Sequence, residues 1–313
     1  MRKSRRRKSG IDTFSIVVII VGLAVAALLS FSNYDPVSDF LGLNKRTSNQ
    51  HAAVGMVQVH FIDVGQGDAA LIVTENAAVL IDGGDSSSGK DVAVYLRKVG
   101  ITRLDLIIAS HPHADHIGGL PDVIASLEGV ERLWLPRLPD ELVPTTRAFM
   151  NLLESAEEHS VMVEYAETAR SVTLGGGAFL EILSPDTGRE FSGVNDYSLV
   201  ARLVHGQNAF LFTGDMESAA EAALLESRLF VRSNVLAVAH HGSGTSSTYE
   251  FLEAVGGGYA VISVGSPNSY GHPRNDVLER LAQLGYVVLR TDVHGSIIFE
   301  SNAEGELTFH TQN

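Results

Sequence analysis

The run Ser110-His111-Pro112-His113-Ala114-Asp115-His116 gathers three imidazoles and a carboxylate within six residues, directly after the apolar stretch 104–109. That stretch is too short for a helix and rich in branched residues, so it reads as a central strand. Its end is a rigid edge from which side chains can be aimed. His111 and His113 are two apart, which puts them on one side of extended backbone. Gly118 and Gly119 allow a sharp turn, so Asp115 and His116 can serve a second ion beside the first. Imidazole nitrogen and carboxylate oxygen hold zinc at about 2.0–2.2 Å, so such ligands must converge closely.

Groups of the same chemistry recur downstream. Asp215 stands between an expected strand at 208–212 and an expected helix at 218–225. Taken alone it reads as a helix N-cap; beside the histidine motif it is expected to bridge two ions. His240 and His241 follow an expected strand at 235–238, with Ser243 just beyond, and His272 lies in the glycine-proline loop 265–273. Ser243 and His272 are candidates for meeting a substrate or leaving-group oxygen, or else are structural loop residues. Asp63 and Asp82 stand at strand ends beside glycine, where they either form turns or hydrogen-bond the ligand histidines and orient them.

The elements that must position these groups follow from the apolar pattern. Strands are expected at 57–62, 69–73 and 79–81; they alternate too quickly for crossover helices, so the sheet begins as an antiparallel meander. Helices are expected at 88–99, 120–127, 145–158, 218–225 and 276–284. Further strands are expected at 132–135, 162–165, 172–174, 178–183, 198–204, 208–212, 235–238, 261–264, 286–290 and 296–299. Gly175, Gly176 and Gly177 lack the following helix and lysine of a nucleotide loop. The chain runs strands, helices, strands, helices, which predicts an α/β fold of two sheets packed face to face with helices outside. All the metal candidates then fall on one edge of this αββα sandwich.

Six basic residues in positions 1–10 precede an uncharged apolar run from Phe14 to Phe31, near the lower limit of the roughly 17–25 residues that span a bilayer. This predicts a basic cytoplasmic tail (1–10), a transmembrane anchor (11–31), a linker (32–53) and an exported domain (54–313). Secretion after signal cleavage is the alternative, against which the run is long and lacks a clean cleavage site. The 313 residues contain no cysteine, which excludes disulfides, thiolate metal sites and a cysteine nucleophile. The net charge is −14 despite the basic tail, so the remainder is strongly acidic. Such a domain repels a phosphate backbone at long range, and a polyanionic substrate would have to be attracted by bound ions and local arginines.

Together, Phe61-Ile62-Asp63-Val64-Gly65-Gln66-Gly67-Asp68-Ala69, Leu80-Ile81-Asp82-Gly83-Gly84, the 110–119 motif, Phe212-Thr213-Gly214-Asp215, His240-His241-Gly242-Ser243 and Tyr270-Gly271-His272-Pro273 resemble the metallo-beta-lactamase fold superfamily. More closely, they resemble the hydrolase domain of ComEC-type competence proteins, over about 56–299. The resemblance implies His111 and His113 as ligands of a first metal ion, Asp115 and His116 of a second, Asp215 as the bridge, and either His240 or His241 as the last ligand. The superfamily's usual third histidine for the first ion comes from the loop before strand 198–204. Here that loop offers Asn195 and Asp196, as ligands or substrate contacts.

The expected function is a membrane-anchored hydrolase using two divalent ions, Zn2+ or Mn2+, with Asp115, Asp215 and His272 as the catalytic candidates. A phosphodiesterase or nuclease acting on extracellular DNA is favoured, with a separate competence channel protein as a partner. The alternatives are hydrolysis of another phosphoester, a lactone or a beta-lactam, and a non-catalytic module that grips DNA through metal.

Overall fold

The computed structural model describes residues 51–312 except 187. The expected tail and anchor, and nearly all of the linker, lie outside the described residues. Among the described residues no helix is long and apolar enough to cross a membrane.

The chain opens with β1 (Met56–Phe61), β2 (Ala70–Val73) and β3 (Ala78–Ile81), then α1 (Gly89–Lys98), β4 (Arg103–Leu104) and β5 (Leu106–Ile108). The single turn α2 (Ala114–Ile117) carries the histidine motif into α3 (Leu120–Ser126), β6 (Gly129–Val130), β7 (Arg132–Pro136), α4 (Arg147–Glu158) and β8 (Met162–Ala166). The second half comprises β9 (Ser171–Gly175), β10 (Ala178–Ser184), β11 (Val200–His205), β12 (Asn208–Phe212), α5 (Ser218–Glu226) and β13 (Val235–Ala237). After it come α6 (Tyr249–Val255), β14 (Tyr259–Ile262), α7 (Asn275–Gln283), β15 (Val287–Arg290), α8 (Thr291–His294), β16 (Ile297–Asn302) and β17 (Leu307–Thr311).

Eight strands form one sheet, in the order β17-β16-β1-β2-β3-β5-β7-β8, and seven form the other, β15-β14-β13-β12-β11-β10-β9. Each sheet is antiparallel at one side and parallel at the other: β3-β5-β7-β8 in the first, β12-β13-β14-β15 in the second. The expected opening meander is present as β1-β2-β3. Helices α1, α3 and α4 connect the first parallel run, and α5, α6 and α7 the second.

Period-two alternation builds the layers. Val79 and Ile81, Leu106 and Ile108, Phe210 and Phe212 face the core between the sheets. Their neighbours Leu80 and Ile107 face the helices over the first sheet, and Leu211 faces those over the second. Both faces of these strands are therefore buried, as parallel sheets under helices require. Phe61 stacks on Phe212 at 5.9 Å between centroids, and Phe299 meets Phe210 edge-on at 6.0 Å, which joins the two sheets. Truncating any of these rings to alanine costs about 3–5 kcal/mol.

Helix α6 and strand β17 are among the elements that lie beyond the sequence expectations. Helix α6 starts at Thr248, whose side chain accepts from Phe251 N, and stops at Gly256 in the left-handed region. Buried Glu221 holds that start by accepting from Thr248 N and Oγ1. Strand β17 pairs with the edge of β16 and has little burial of its own, which is why its apolar pattern is weak.

Candidate metal centre

The groups that could do chemistry stand at the carboxyl ends of the parallel strands, where open α/β sheets place their ligands. Asp82 follows β3, the 110–116 motif follows β5, Asp215 follows β12 and the histidine pair follows β13. Two turns hold them against one another. Asp82 takes a left-handed conformation (φ 59°) that aims its carboxylate across to Ser110. It accepts from Ser110 N and Oγ, both at 2.7 Å, and lies 2.9 Å from His116 Nδ1. Gly214 (φ 51°) lets the segment bearing Asp215 close on Ser110, where a Cβ would stand 2.9 Å from Ser110 Cβ.

Asp215 is buried at the centre of the cluster and is not the N-cap of α5, a position held by Glu217. Its two oxygens face different imidazoles. Oδ1 lies 3.0 Å from His116 Nε2 and 3.8 Å from His241 Nε2; Oδ2 lies 3.6 Å from His111 Nε2 and 3.6 Å from His240 Nε2. His113 Nδ1 is 3.0 Å from His111 Nε2, and Asp115 Oδ2 is 3.3 Å from His241 Nε2. The far nitrogens are anchored: His116 Nδ1 on Asp82, His241 Nδ1 at 3.0 Å from the Ser263 carbonyl, and His111 Nδ1 at 3.1 Å from Ser110 Oγ.

These residues fit divalent ions. His116 Nε2, His241 Nε2 and Asp215 Oδ1 are buried and face one another and Asp115 without a well-aligned hydrogen bond. Imidazole nitrogens and a carboxylate oxygen converging in this way, away from water, are donors that a divalent cation would take. The sets His111, His116, Asp215 and Asp115, His116, His241 each bring one ligand atom per residue within 4.8 Å of the others.

The electrostatics follow from this crowding. Burial opposes charge on His116, but Asp215 and Asp82 outweigh it and hold the imidazole well above its ordinary range. Burial likewise opposes charge on His241, yet Asp215, Asp115 and Asp68 raise it to about 9. Asp215 is held well below the usual carboxylate range because His116, His241 and His111 outweigh its burial. Asp115 is lowered in the same way, by its contact with His241 and the charge of His116. Burial, helped by the adjacent His116, drives His111 well down.

The other sequence candidates divide. Asp63 is exposed, and its Oδ1 accepts from Gly65 N at 3.1 Å, so it shapes its own turn and reaches none of the histidines. Asp196 points away from the cluster: its Oδ1 accepts from Glu217 N and Ala220 N, satisfying the start of α5. Asn195 Nδ2 donates to Glu217 Oε1 at 3.1 Å, and its Oδ1 is buried without a partner. Ser243 Oγ pairs with Thr245 Oγ1 at 3.1 Å inside the turn. His272 stands at the mouth, 5.8 Å from the His240 ring and stacked on exposed Tyr270 at 6.1 Å. Burial and the neighbouring His240 and His241 keep it below its ordinary pKa.

Asp68 was not among the sequence candidates. It lies 3.7 Å from His241 Nδ1 and 3.9 Å from His116 Nδ1, behind both rings, and burial raises its pKa. The signal available was Gly67-Asp68 at a strand start. Gly67 (φ 134°) leaves no room for a Cβ, which would sit 2.2 Å from the Asp115 carbonyl oxygen.

The fold and the strand-end cluster agree with the match of residues 62–266 to the metallo-beta-lactamase superfamily, and the chain belongs to that superfamily, whose members are generally metal-dependent hydrolases. Three of its curated relatives are ComEC-type competence proteins. ComE operon protein 3 of Bacillus subtilis (strain 168) is 31% identical over 263 residues, covering 77% of this chain and 32% of the relative. Competence protein ComA of Neisseria gonorrhoeae is 31% identical over 245 residues, covering 76% and 31%. The chain thus spans about a third of the length of the curated relatives it matches. Among solved structures, a variant of the CmlA beta-hydroxylase superposes with a TM-score of 0.53 at 12% identity, covering 77% of this chain and 53% of that one, a likeness of fold alone.

Proposed function

We propose that the protein hydrolyses phosphodiesters, with DNA as the substrate class, at a centre of two divalent ions. The observation that carries this reading is the bridging placement of Asp215, one oxygen towards His111 and the other towards His116 and His241. In it, His111, His113 and Asp215 would hold the first ion, and Asp115, His116, His241 and Asp215 would hold the second. When bound, such ions polarise a phosphoryl oxygen and generate a nucleophile from water near neutral pH.

The chain's own groups do the rest. Asp82 and the Ser263 carbonyl fix the His116 and His241 rings through Nδ1, which leaves both Nε2 atoms free to ligate. His272, largely neutral at the mouth, would hydrogen-bond a non-bridging or leaving-group oxygen. Arg274, near enough to depress His272, offers the cation that an otherwise acidic chain needs to approach a polyanion. The relatives' names support a DNA-uptake setting. In that setting the apolar segment 14–31 would tether the domain outside the membrane, and a separate channel protein would be its partner.

The test uses the full chain in detergent, stripped and reloaded with Zn2+ or Mn2+, against single-stranded DNA, double-stranded DNA, a bis-aryl phosphodiester and nitrocefin. Metal-dependent cleavage of DNA and the diester is expected. Turnover of nitrocefin alone would move the assignment to amide hydrolysis. A metal-loaded protein that binds DNA and cleaves nothing would make it a binding module.

A further inference from the structure

The ligand set just given leaves the first ion with His111, His113 and Asp215 but no third histidine. The loop before β11, which could have supplied one, instead turns Asp196 towards the start of α5. Its neighbour Asn195 donates to Glu217 Oε1 at 3.1 Å, as does Thr245 Oγ1 at 3.2 Å. That same carboxylate oxygen lies 3.3 Å from His240 Nδ1. A carboxylate behind Nδ1 is the usual way of orienting a metal-binding imidazole, and Asp82 stands in the same relation to His116 at 2.9 Å. Held in this way, His240 presents Nε2 at 3.6 Å from Asp215 Oδ2, the oxygen that His111 Nε2 also approaches at 3.6 Å.

The backbone makes the adjacent pair divide. His240 (φ 52°, ψ 43°) and His241 (φ 54°, ψ 25°) both sit in the left-handed region, and Gly242 follows at φ 79°. Non-glycine residues there are strained and persist where the surroundings hold them. Here the hold comes from His240 N donating to the Gly214 carbonyl at 3.0 Å, next to Asp215 itself. The two rings end 6.3 Å apart, one at each oxygen of Asp215. With ligand bonds of about 2.0–2.2 Å, donors on one ion lie roughly 3–4 Å apart. The His111–His113, His111–Asp215 and His240–Asp215 separations of 3.0, 3.6 and 3.6 Å fall in that range.

We infer that His240 is the missing ligand of the first ion, with Glu217 as its positioning residue and Asn195 as the buttress of Glu217. The histidine pair then serves both ions, His240 on the His111 side and His241 on the His116 side. This rests on the two-ion reading above and adds to it a residue that replaces the absent loop histidine.

The experiment is a metal titration of the stripped full chain with Mn2+, reading stoichiometry, the affinity for each ion and the spin-coupled signal of a manganese pair by electron paramagnetic resonance. The variant is His240→Gly, since glycine accepts the left-handed turn without strain. It is expected to keep one ion, weaken the other by about a hundredfold or more, and replace the coupled signal by that of an isolated ion. Glu217→Gln is expected to weaken the same ion by about 10- to 100-fold. Two ions at wild-type affinity in His240→Gly would overturn the inference and leave the two-ion reading standing. So would loss of the first ion in Asn195→Ala but not in His240→Gly, which would make the Asn195 amide oxygen the ligand. A wild-type chain that takes up no ion would sink both readings.

Discussion

The two parallel runs of the sandwich supply the centre in different ways. In the first, one strand end carries His111, His113, Asp115 and His116, and a neighbouring strand end carries Asp82 as their support. In the second, the groups are spread over adjacent strand ends, Asp215 after β12 and His240 and His241 after β13, with the Ser263 carbonyl after β14 behind His241. The first half is a compact motif on one rigid edge. The second is an arrangement that exists only once parallel strands set their ends side by side and a left-handed turn folds the pair back. A cluster of local spacing survives small shifts between sheets, whereas a shared carboxylate from the opposite sheet would make both ions of the proposed centre depend on how the sheets pack.

The largest effect should therefore come from the second half. Asp215→Ala is expected to abolish binding of both ions and lower turnover by about 10³-fold or more, with the fold retained, as metal analysis, circular dichroism and diester hydrolysis would report. Asp115→Asn, in the first half, should weaken only the second ion and leave one ion bound. Equal loss in the two variants would erase the contrast between the halves.

Proton release separates them further. His241 must lose its proton to ligate, and its pKa is about 9 in the metal-free protein. His116, also held well above its ordinary range, must lose a proton too, so affinity for the second ion should rise by more than about tenfold per pH unit from pH 7 to 9, while binding on the His111 side, where the imidazole is already neutral, should vary less. The sign for stability is opposite. A histidine raised on folding stabilises fully below its unfolded value of 6.5 and loses that contribution as pH rises through 9. The melting temperature of the chelated protein should accordingly fall between pH 6.5 and 9.5. A flat profile would show that His241 is already neutral.

Smaller effects come from the supports. Asp82→Asn is expected to weaken the second ion by about 10- to 100-fold through His116, measured by chelator competition. Asp63→Ala should leave metal content unchanged and alter stability by no more than about 0.5 kcal/mol. A metal defect there would give that exposed turn residue a role its placement does not explain.

Legibility followed sequence distance. The 110–116 motif could be read because its groups share one strand end and the side-chain period of extended backbone sorts them. The sandwich could be read because Val79, Ile81, Leu106 and Ile108 alternate with residues that face helices. Asp63 and Asp82 looked alike, each a carboxylate beside glycine at a strand end, yet only Asp82 adopts the turn that aims it at Ser110 and His116. Asp68 was hidden because its partners are 48 and 173 positions away in the chain. Helix α6 was missed because seven residues between Thr248 and Gly256 are too few for a helical period to stand out.

The sequence by itself determined the sandwich of strands and helices in outline and the gathering of histidines and a carboxylate at 110–116, because these depend on residue type and on periods of a few residues. Only the tertiary structure decided which carboxylates turn inward, that Asp215 offers its two oxygens to different histidines, and how His240 and His241 divide. Those outcomes depend on the angle at which a backbone enters a turn and on contacts between distant strand ends. No local pattern of residues encodes either one.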